Sequence, residues 1–187
     1  MLISKYIGIL GTAILARERR AQLLSRLPAW LVDEAARFDE DYDSSVISNV
    51  NLALSHGALY AKEYTEFGIF EALFQMSKEL KTGLLIDIKS IPVKQETIEV
   101  CEVLGVNPYA LFSGNSAVIV TENGPEMKAF LESENIPAQI VAQTTDNNDK
   151  IIVNDEERGF LQHIRKDELK SVLGRKEYYE RTDFVNR

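Results

Sequence analysis

The stretch from Tyr60 to Gly68 contains the residues whose types and spacing could do chemistry, and it is typical of a polar turn docked on the start of an amphipathic helix. The apolar face of that helix is predicted from Ile69, Leu73, Met76 and Leu80, which repeat at helical spacing. Thr65 is placed to cap the following helix through its hydroxyl, and Glu66 lies where the positive end of the helix dipole favours a carboxylate. Gly68 allows the backbone to approach a ligand or another segment closely. A helix start of this kind can bind an anion such as phosphate. The alternative is an ordinary helix start, because such capping signals are common.

Charged side chains in the same stretch widen the possible chemistry. Lys62 is adjacent to Glu63, and Glu66 follows three residues later. These groups could position a phosphate-bound metal or a substrate amine, or they could form a capping pair on the surface. The sequence contains no Gly-x-Ser-x-Gly elbow, Walker loop, His-Glu-x-x-His motif or paired-cysteine metal site. Carboxylates, lysines and backbone dipoles are therefore the functional groups that remain for binding or catalysis. We assign no metal ligands.

Composition excludes several classes of protein. The chain has 187 residues, is 45% apolar and carries a formal net charge of −8. A globular fold is expected, with no nucleic-acid or membrane partner, because both require a cationic surface. Cys101 is the single cysteine, which excludes an internal disulfide and suits a cytoplasmic location. No apolar run approaches the roughly 20 residues that span a bilayer.

The pattern of apolar residues predicts an α+β fold with a helical N-terminal segment. Residues 1–9 are typical of a short buried or edge strand, and helices fill the rest of the first third of the chain. From Gly83 the order becomes β-α-β-α-β-β, with helices packed on a mixed sheet. We expect a polar loop over residues 144–149 and a last helix over 166–173. The charged residues 174–187 form a tail that is loose or docks on a partner.

Several segments together resemble the AIR synthase-related proteins. Residues 8–18, with the sequence Gly-Ile-Leu-Gly-Thr-Ala-Ile-Leu-Ala-Arg-Glu, resemble a Gly-x-Glu-Gly-Thr-Ala-x-x-Ala segment in which Leu10 takes the Glu place. Residues 62–68 lie where that family carries His-Asp-x-Thr-Glu-Gly-Gly. Agreement in the same order extends from Leu2 to about Leu173, and its further matching segments are Ile91-Pro92-Val93-Lys94-Gln95-Glu96-Thr97, Asn107-Pro108-Tyr109-Ala110-Leu111 and Ser113-Gly114.

This resemblance implies the C-terminal domain of a member of the superfamily that includes aminoimidazole-ribotide synthase, selenophosphate synthetase, thiamine-monophosphate kinase and a hydrogenase maturation factor. Members bind ATP and Mg²⁺ between this half and an N-terminal half, which supplies most metal-binding aspartates and the dimer barrel. Their reaction is ATP-dependent activation of a carbonyl or amide oxygen. The residues that the resemblance places in the cleft are Lys62, Glu63, Thr65, Glu66, Gly68, Ser113 and Gly114.

The resemblance also implies a division of the chain. Met1 falls where the last strand of the N-terminal half would be, so residues 1–16 correspond to a remnant of that half. Residues 17–173 correspond to the C-terminal domain and residues 174–187 to the tail. The chain is then expected to be a fragment or one product of a split gene.

Four departures from the family pattern bear on function. Lys62 replaces the family's His, Glu63 its Asp and Phe67 its first Gly. A phenyl ring blocks the approach of phosphate to the backbone at that position. The sequence ends in residues 184–187, Phe-Val-Asn-Arg, without the C-terminal cysteine that carries the carbamoyl group in hydrogenase maturation, which argues against that specific activity.

Two functions follow from these observations. The first is the hydrogenase-maturation-like C-terminal half of an ATP-dependent enzyme, which acts only with a companion N-terminal half and binds no nucleotide alone. The second is a non-catalytic binding or scaffolding module derived from the same family, which the substitutions at Lys62, Glu63 and Phe67 favour. A homodimer is also expected, through Leu2 to Ile9, because an unpaired edge strand can pair with another chain.

Overall fold

A computed structural model describes residues 1–41, 46–64, 66–114, 116–174 and 177–178. Within these ranges the helices are α1 (Ile9–Glu18), α2 (Arg20–Leu24), α3 (Ala29–Ala36), α4 (Phe38–Asp41), α5 (Val46–Ser55), α6 (Gly68–Leu80), α7 (Gln95–Leu104), α8 (Gly124–Ser133) and α9 (Glu168–Leu173). The strands are β1 (Leu2–Ser4), β2 (Tyr60–Tyr64), β3 (Gly83–Asp87), β4 (Ser116–Val120), β5 (Ala138–Ile140), β6 (Ala142–Thr145), β7 (Lys150–Asn154) and β8 (Glu157–Phe160). Short 3₁₀ turns cover Ile88–Ser90 and Pro108–Ala110.

The strands form two four-stranded sheets that meet at Val141. The first sheet has the order β2-β4-β1-β5 and is antiparallel throughout. The second has the order β6-β3-β7-β8 and is mixed, because β3 and β7 run parallel. The Val141 N–H donates to the Met1 carbonyl, and the Val141 carbonyl accepts from the Asp87 N–H. The chain therefore passes from one sheet into the other at this residue.

Helix α6 supplies the centre of the core between the sheets. Ile69, Leu73 and Met76 recur at helical spacing, are fully buried, and pack in one cluster with Val118 of β4 and Ile86 of β3. A second apolar cluster joins the helices α1, α3 and α7 and contains the buried Cys101. The α+β class with a mixed sheet and a helical N-terminal segment is confirmed. None of the described helices is both long and apolar enough to cross a bilayer.

The prediction that the first strand pairs with another chain through Leu2 to Ile9 is wrong. Strand β1 ends at Ser4 and lies between two neighbours, since Leu2 pairs with Ile119 of β4 on one side and with Ile140 of β5 on the other. Both backbone edges of β1 are therefore occupied, and no edge remains for a partner.

The prediction of a polar turn over residues 60–68 is also wrong for Tyr60–Tyr64. This segment is strand β2, which pairs with the fully buried β4. Lys62 and Glu63 are consecutive and both exposed, so the segment lacks the period-two alternation that marks a strand. Helix α6 begins at Gly68 with Phe67 in the N-cap position rather than Thr65, and Thr65 lies outside the described residues.

Two other boundaries differ from the sequence-based expectation or stay untested. Residues 144–149 are not all loop, because β6 extends to Thr145 and pairs with β3. The division of the chain at residues 16 and 173 stays a prediction. Most of the tail, namely residues 175–176 and 179–187, lies outside the described residues.

The end of α6 provides a test of the fold. Lys81 is exposed and adopts a left-handed backbone conformation with φ 53° at the helix C-cap. Because a non-glycine residue there costs about 1 kcal/mol, Lys81→Gly is expected to raise the free energy of unfolding by about 0.5–1 kcal/mol. Lys78→Gly, in the same helix, is the control and should lower it by about 1 kcal/mol. Urea denaturation measures both, and a loss of stability in Lys81→Gly would contradict the expectation.

Candidate functional site

A cleft between β2 and α6 holds three of the predicted site residues. It has a volume of about 310 Å³ and is lined by Tyr60, Lys62, Glu63, Tyr64, Glu66, Glu71, Ala72 and Gln75. The pairing of β2 with β4 fixes Lys62 opposite Val118 and Glu63 opposite Ala117. The ladder therefore positions both charged side chains, and the turn that follows adds Glu66.

The positive charge in the cleft is already paired. The Lys62 Nζ donates to Glu79 Oε1 at 2.8 Å, and the Tyr60 hydroxyl donates to Glu79 Oε2, also at 2.8 Å. The hydrogen bond from Lys62 lowers the pKa of the Glu79 carboxyl. Burial, together with the bond to Glu79, raises the pKa of the Tyr60 hydroxyl. Tyr60 therefore stays neutral, and Lys62 is held at the rim of the cleft.

Two carboxylates in the cleft remain uncommitted. Glu63 and Glu66 are exposed, and neither forms a hydrogen bond or an ion pair with another described residue. Glu71 is different, because Oε2 accepts from His163 Nδ1 at 2.8 Å and from the Ile164 N–H at 2.9 Å. The cleft is therefore acidic, and a cation is the ligand that its electrostatics favour.

The turn before α6 is held by a buried carboxylate that sequence analysis did not identify. Asp167 Oδ2 accepts from the Phe67 N–H at 2.6 Å, and Oδ1 accepts from the N–H groups of Phe112 and Leu169 at 3.2 and 2.9 Å. Burial raises the pKa of the Asp167 carboxyl to about 6, and the charge of Glu66 adds to the increase. Asp167 thus joins the turn to the loop that contains Ser113.

Gly68 is buried, and its backbone packs closely against another segment of the chain. A Cβ at this position would lie 2.5 Å from the carbonyl oxygen of Tyr109 and 2.8 Å from the Cα of Ala110. Its φ of 66° also lies in the left-handed region. The glycine therefore lets α6 pack directly on the 3₁₀ turn Pro108–Ala110, and a ligand contact by Gly68 stays a prediction.

Ser113 and Gly114 are buried and do not line the cleft. The Ser113 hydroxyl accepts from the Gly8 N–H at 3.0 Å and donates to the Leu111 carbonyl at 3.2 Å. The space beside Gly114 is filled by Leu10, because a Cβ on Gly114 would lie 2.2 Å from Leu10 Cδ1. Their predicted role in cofactor binding is untested, and the observed contacts connect this loop to the start of α1.

The structure separates the predicted residues into two groups. Lys62, Glu63 and Glu66 line the open cleft, while Gly68, Ser113 and Gly114 are buried and do not line it. Thr65 lies outside the described residues. Sequence analysis missed the anchoring residues Asp167, Glu71 and Glu79. Of these, Asp167 carried a usable signal, because an aspartate before a helical pattern is a typical N-cap.

The chain has a larger cleft, but it contains none of the predicted residues. It measures about 490 Å³ and is lined in part by Lys5, Tyr6, Pro92 and Pro137. Within the described ranges, no group of three or more His, Cys, Asp or Glu side chains is arranged to hold a metal ion. A metal in the β2–α6 cleft would therefore need ligands from outside this part of the chain.

A family model described as AIR synthase related protein, C-terminal domain, matches residues 2–154. The chain is 31% identical to the carbamoyl dehydratase HypE of Rhodobacter capsulatus over 72 residues, which are 38% of this chain and 21% of that protein.

Solved structures of HypE have the same fold. A structure of E. coli HypE superimposes with a TM-score of 0.70 at 22% identity and covers 91% of this chain and 51% of that one. HypE in complex with ATP gives 0.64 at 14% identity, covering 90% and 51%. HypE in a complex with HypF gives 0.61 at 16% identity, covering 86% and 51%. The present chain spans about half the length of these proteins.

Proposed function

This chain belongs to the family of AIR synthase-related C-terminal domains, and from that premise we propose that it is the C-terminal half of an ATP-dependent enzyme of the HypE type. It would act together with an N-terminal half, supplied by a companion polypeptide. The coverage of about half of each HypE chain supports this division. The buried thiol of Cys101, the single cysteine, is in keeping with a cytoplasmic location.

The acidic lining of the β2–α6 cleft, to which Glu63 and Glu66 both contribute, is the observation that carries the proposal. Mg²⁺ in nucleotide sites is bound through one or two carboxylates together with substrate phosphates. Glu63 and Glu66 would hold the Mg²⁺ of MgATP, and the N-terminal half would contribute the remaining ligands. Two carboxylates leave the coordination of Mg²⁺ incomplete without the ligands of the N-terminal half, so we expect no MgATP binding by this chain alone.

The other residues of the site would position these groups. Bound ATP would supply the phosphoryl group that activates a carbonyl or amide oxygen. Glu79 would hold Lys62 at the rim of the cleft. The Lys62 ammonium group would there face the negative phosphates of the entering nucleotide. Asp167 would keep the turn that carries Glu66 against the Phe112 loop, because it bonds to both backbones.

Calorimetric titration tests the proposal. MgATP is expected to give no binding heat with this chain alone, and saturable heat with an equimolar mixture of this chain and the N-terminal half of a HypE protein. In the mixture, Glu63→Gln and Glu66→Gln should each weaken MgATP binding by about tenfold or more, because one contact to a charged group is lost. Glu134→Gln, an exposed change at the end of α8, is the matched control and should leave affinity unchanged. Absence of binding heat in the mixture would contradict the proposal.

A binding or scaffolding module is the second candidate, and two contacts favour it. The Phe67 N–H at the start of α6 is already bonded to Asp167, and Leu10 fills the space beside Gly114. Both contacts use positions that the family resemblance assigns to nucleotide. A module of this kind would bind the N-terminal half with the same affinity in the presence and absence of MgATP, and Glu66→Gln would have no effect on that affinity.

A further inference from the structure

The larger cleft, here called the Lys5 cleft, brings together two lysines from distant parts of the chain. Its volume is about 490 Å³, and it is lined by Lys5, which follows β1, and by Lys89, in the 3₁₀ turn after β3. Clefts of this size are typical of small-molecule sites. None of its lining residues lines the β2–α6 cleft. It is therefore a separate candidate for ligand binding.

The backbone of Lys5 is held in a conformation that residues with a side chain rarely adopt. Its φ of 61° lies in the left-handed region, and its N–H donates to the Pro137 carbonyl at 2.7 Å, just beyond the β1–β5 ladder. Such strained conformations persist only where the surrounding structure imposes them, and they are frequent at ligand sites. The fold thus fixes a strained lysine at the cleft.

The walls of the Lys5 cleft are partly apolar and held in place. Tyr6, Pro92 and Pro137 contribute to the lining. The Ile7 N–H donates to the Pro92 carbonyl at 2.9 Å, and the Lys94 Nζ lies 4.6 Å from the centre of the Tyr6 ring. Walls that are already in position add little ordering cost when a ligand binds. The apolar body of a ligand would therefore find preformed contacts beside the positive charge.

Charge around the cleft favours an anion with a single negative charge. Seven charged side chains line the cleft or contact residues that do, namely Lys5, Lys89, Lys94, Lys128, Asp87, Glu132 and Asp155. Four of them are lysines and three are carboxylates, so one positive charge is in excess, whereas the whole chain has a net charge of −8. A polyanion such as a triphosphate would bring its further charges against the three carboxylates.

Each of these carboxylates already has a partner. Lys89 Nζ donates to Asp155, and the Lys89 N–H donates to Asp87. Lys128 Nζ lies 3.7 Å from the Glu132 carboxylate. Both members of the Lys89–Asp155 pair are exposed, and exposed ion pairs contribute little to stability. Lys89 can therefore exchange Asp155 for the carboxylate of a ligand.

We propose that the Lys5 cleft binds a small organic monocarboxylate. Its carboxylate pairs with Lys5 and Lys89 through charge-assisted hydrogen bonds, and its apolar body lies against Tyr6, Pro92 and Pro137. The site is independent of the β2–α6 cleft and of the proposed ATP-dependent function.

Benzoate is the probe, because it joins one carboxylate to a planar apolar ring. In NMR titrations it should shift the backbone amide signals of Tyr6, Ser90 and Val93 saturably, with a dissociation constant of the order of 1 mM. The amides of Glu63 and Glu66 should not respond. Benzamide has the ring without the charge and phosphate has charge without the ring, so each should bind at least about tenfold more weakly.

Substitution of Lys5 tests the role of its charge. Lys5→Gly removes the charge and suits the left-handed backbone, and should weaken benzoate binding about tenfold. Lys5→Arg keeps the charge and should bind benzoate within about twofold of the natural chain. Lys78→Gln, an exposed change in α6 outside the cleft, is the control and should leave affinity unchanged. The amide spectra also show whether each variant is folded.

Three outcomes would overturn the proposal. The first is the absence of saturable shifts at the three cleft amides up to about 20 mM benzoate, well above the expected constant. The second is binding of benzamide or phosphate as tight as that of benzoate, which would contradict the ligand class. The third is a folded Lys5→Gly variant with unchanged affinity, which would place the carboxylate away from Lys5.

Discussion

Replacing Asp167 with alanine is expected to lower the free energy of unfolding by about 3 to 5 kcal/mol, because each buried donor left without an acceptor costs about 1–3 kcal/mol. Three backbone N–H groups, those of Phe67, Phe112 and Leu169, share this one carboxylate. They belong to the turn before α6, to the loop before Ser113 and to the start of α9. Loss of the side chain would therefore loosen three segments at once.

The same carboxyl group predicts a dependence of stability on pH. Burial raises the pKa of Asp167 from 3.8 to about 6, although the three hydrogen bonds act in the opposite direction. The folded chain therefore binds this proton more tightly than the unfolded chain does. Its contribution to stability is complete below about pH 4 and is lost as the pH rises through about 6.

Asp167→Asn isolates this titration, because the amide cannot ionise. The unfolding free energy of the natural chain minus that of Asp167→Asn is expected to fall by up to about 3 kcal/mol between pH 4 and pH 7. Urea denaturation across this range measures the difference, and Asp146→Ala, an exposed change, is the control that should stay within about 0.5 kcal/mol of the natural chain. A difference that rises with pH would mean that the hydrogen bonds outweigh burial.

Helix α6 shows how well the spacing of apolar residues predicts burial in this chain. Of the apolar residues that define its predicted buried side, Ile69, Leu73 and Met76 are buried, whereas Leu80, in the last turn, is 39% exposed. Strand β2 escapes the same analysis, because its apolar residues pack on both faces, Tyr64 on one and Ala61 on the other, and the consecutive Lys62 and Glu63 are both exposed. Its pairing with β4 is a long-range contact that no local pattern encodes.

The residues of the candidate site also differ in whether local or long-range contacts position them. Lys62, Glu63 and Glu66 are close in sequence, so their meeting in one cleft follows from the local chain and could be predicted. Asp167 lies 100 residues from Phe67 and 55 from Phe112, and its role depends on where the chain returns after β8. Sequence analysis could recognise it as a helix cap but not as the link between two loops.

Gly68→Ala is expected to lower the free energy of unfolding by about 2 to 4 kcal/mol, the sum of a left-handed backbone for alanine and overpacking against a rigid neighbour. The new Cβ would lie 2.5 Å from the Tyr109 carbonyl oxygen, and backbone atoms cannot rotate away as a side chain can. Denaturation in urea, followed by circular dichroism, measures the loss.

Gly105→Ala is a matched control, because it separates the two contributions. Gly105 has nearly the same φ, 67° against 66° for Gly68, but an added Cβ meets no atom within 4 Å. Its substitution should therefore cost only the conformational strain of about 1 kcal/mol. Equal losses in the two variants would mean that α6 can move away from Pro108–Ala110, which would leave Gly68 available to a ligand. A larger loss at Gly68 would assign this glycine to the packing of α6, so its occurrence at a family nucleotide-binding position would be explained without a nucleotide.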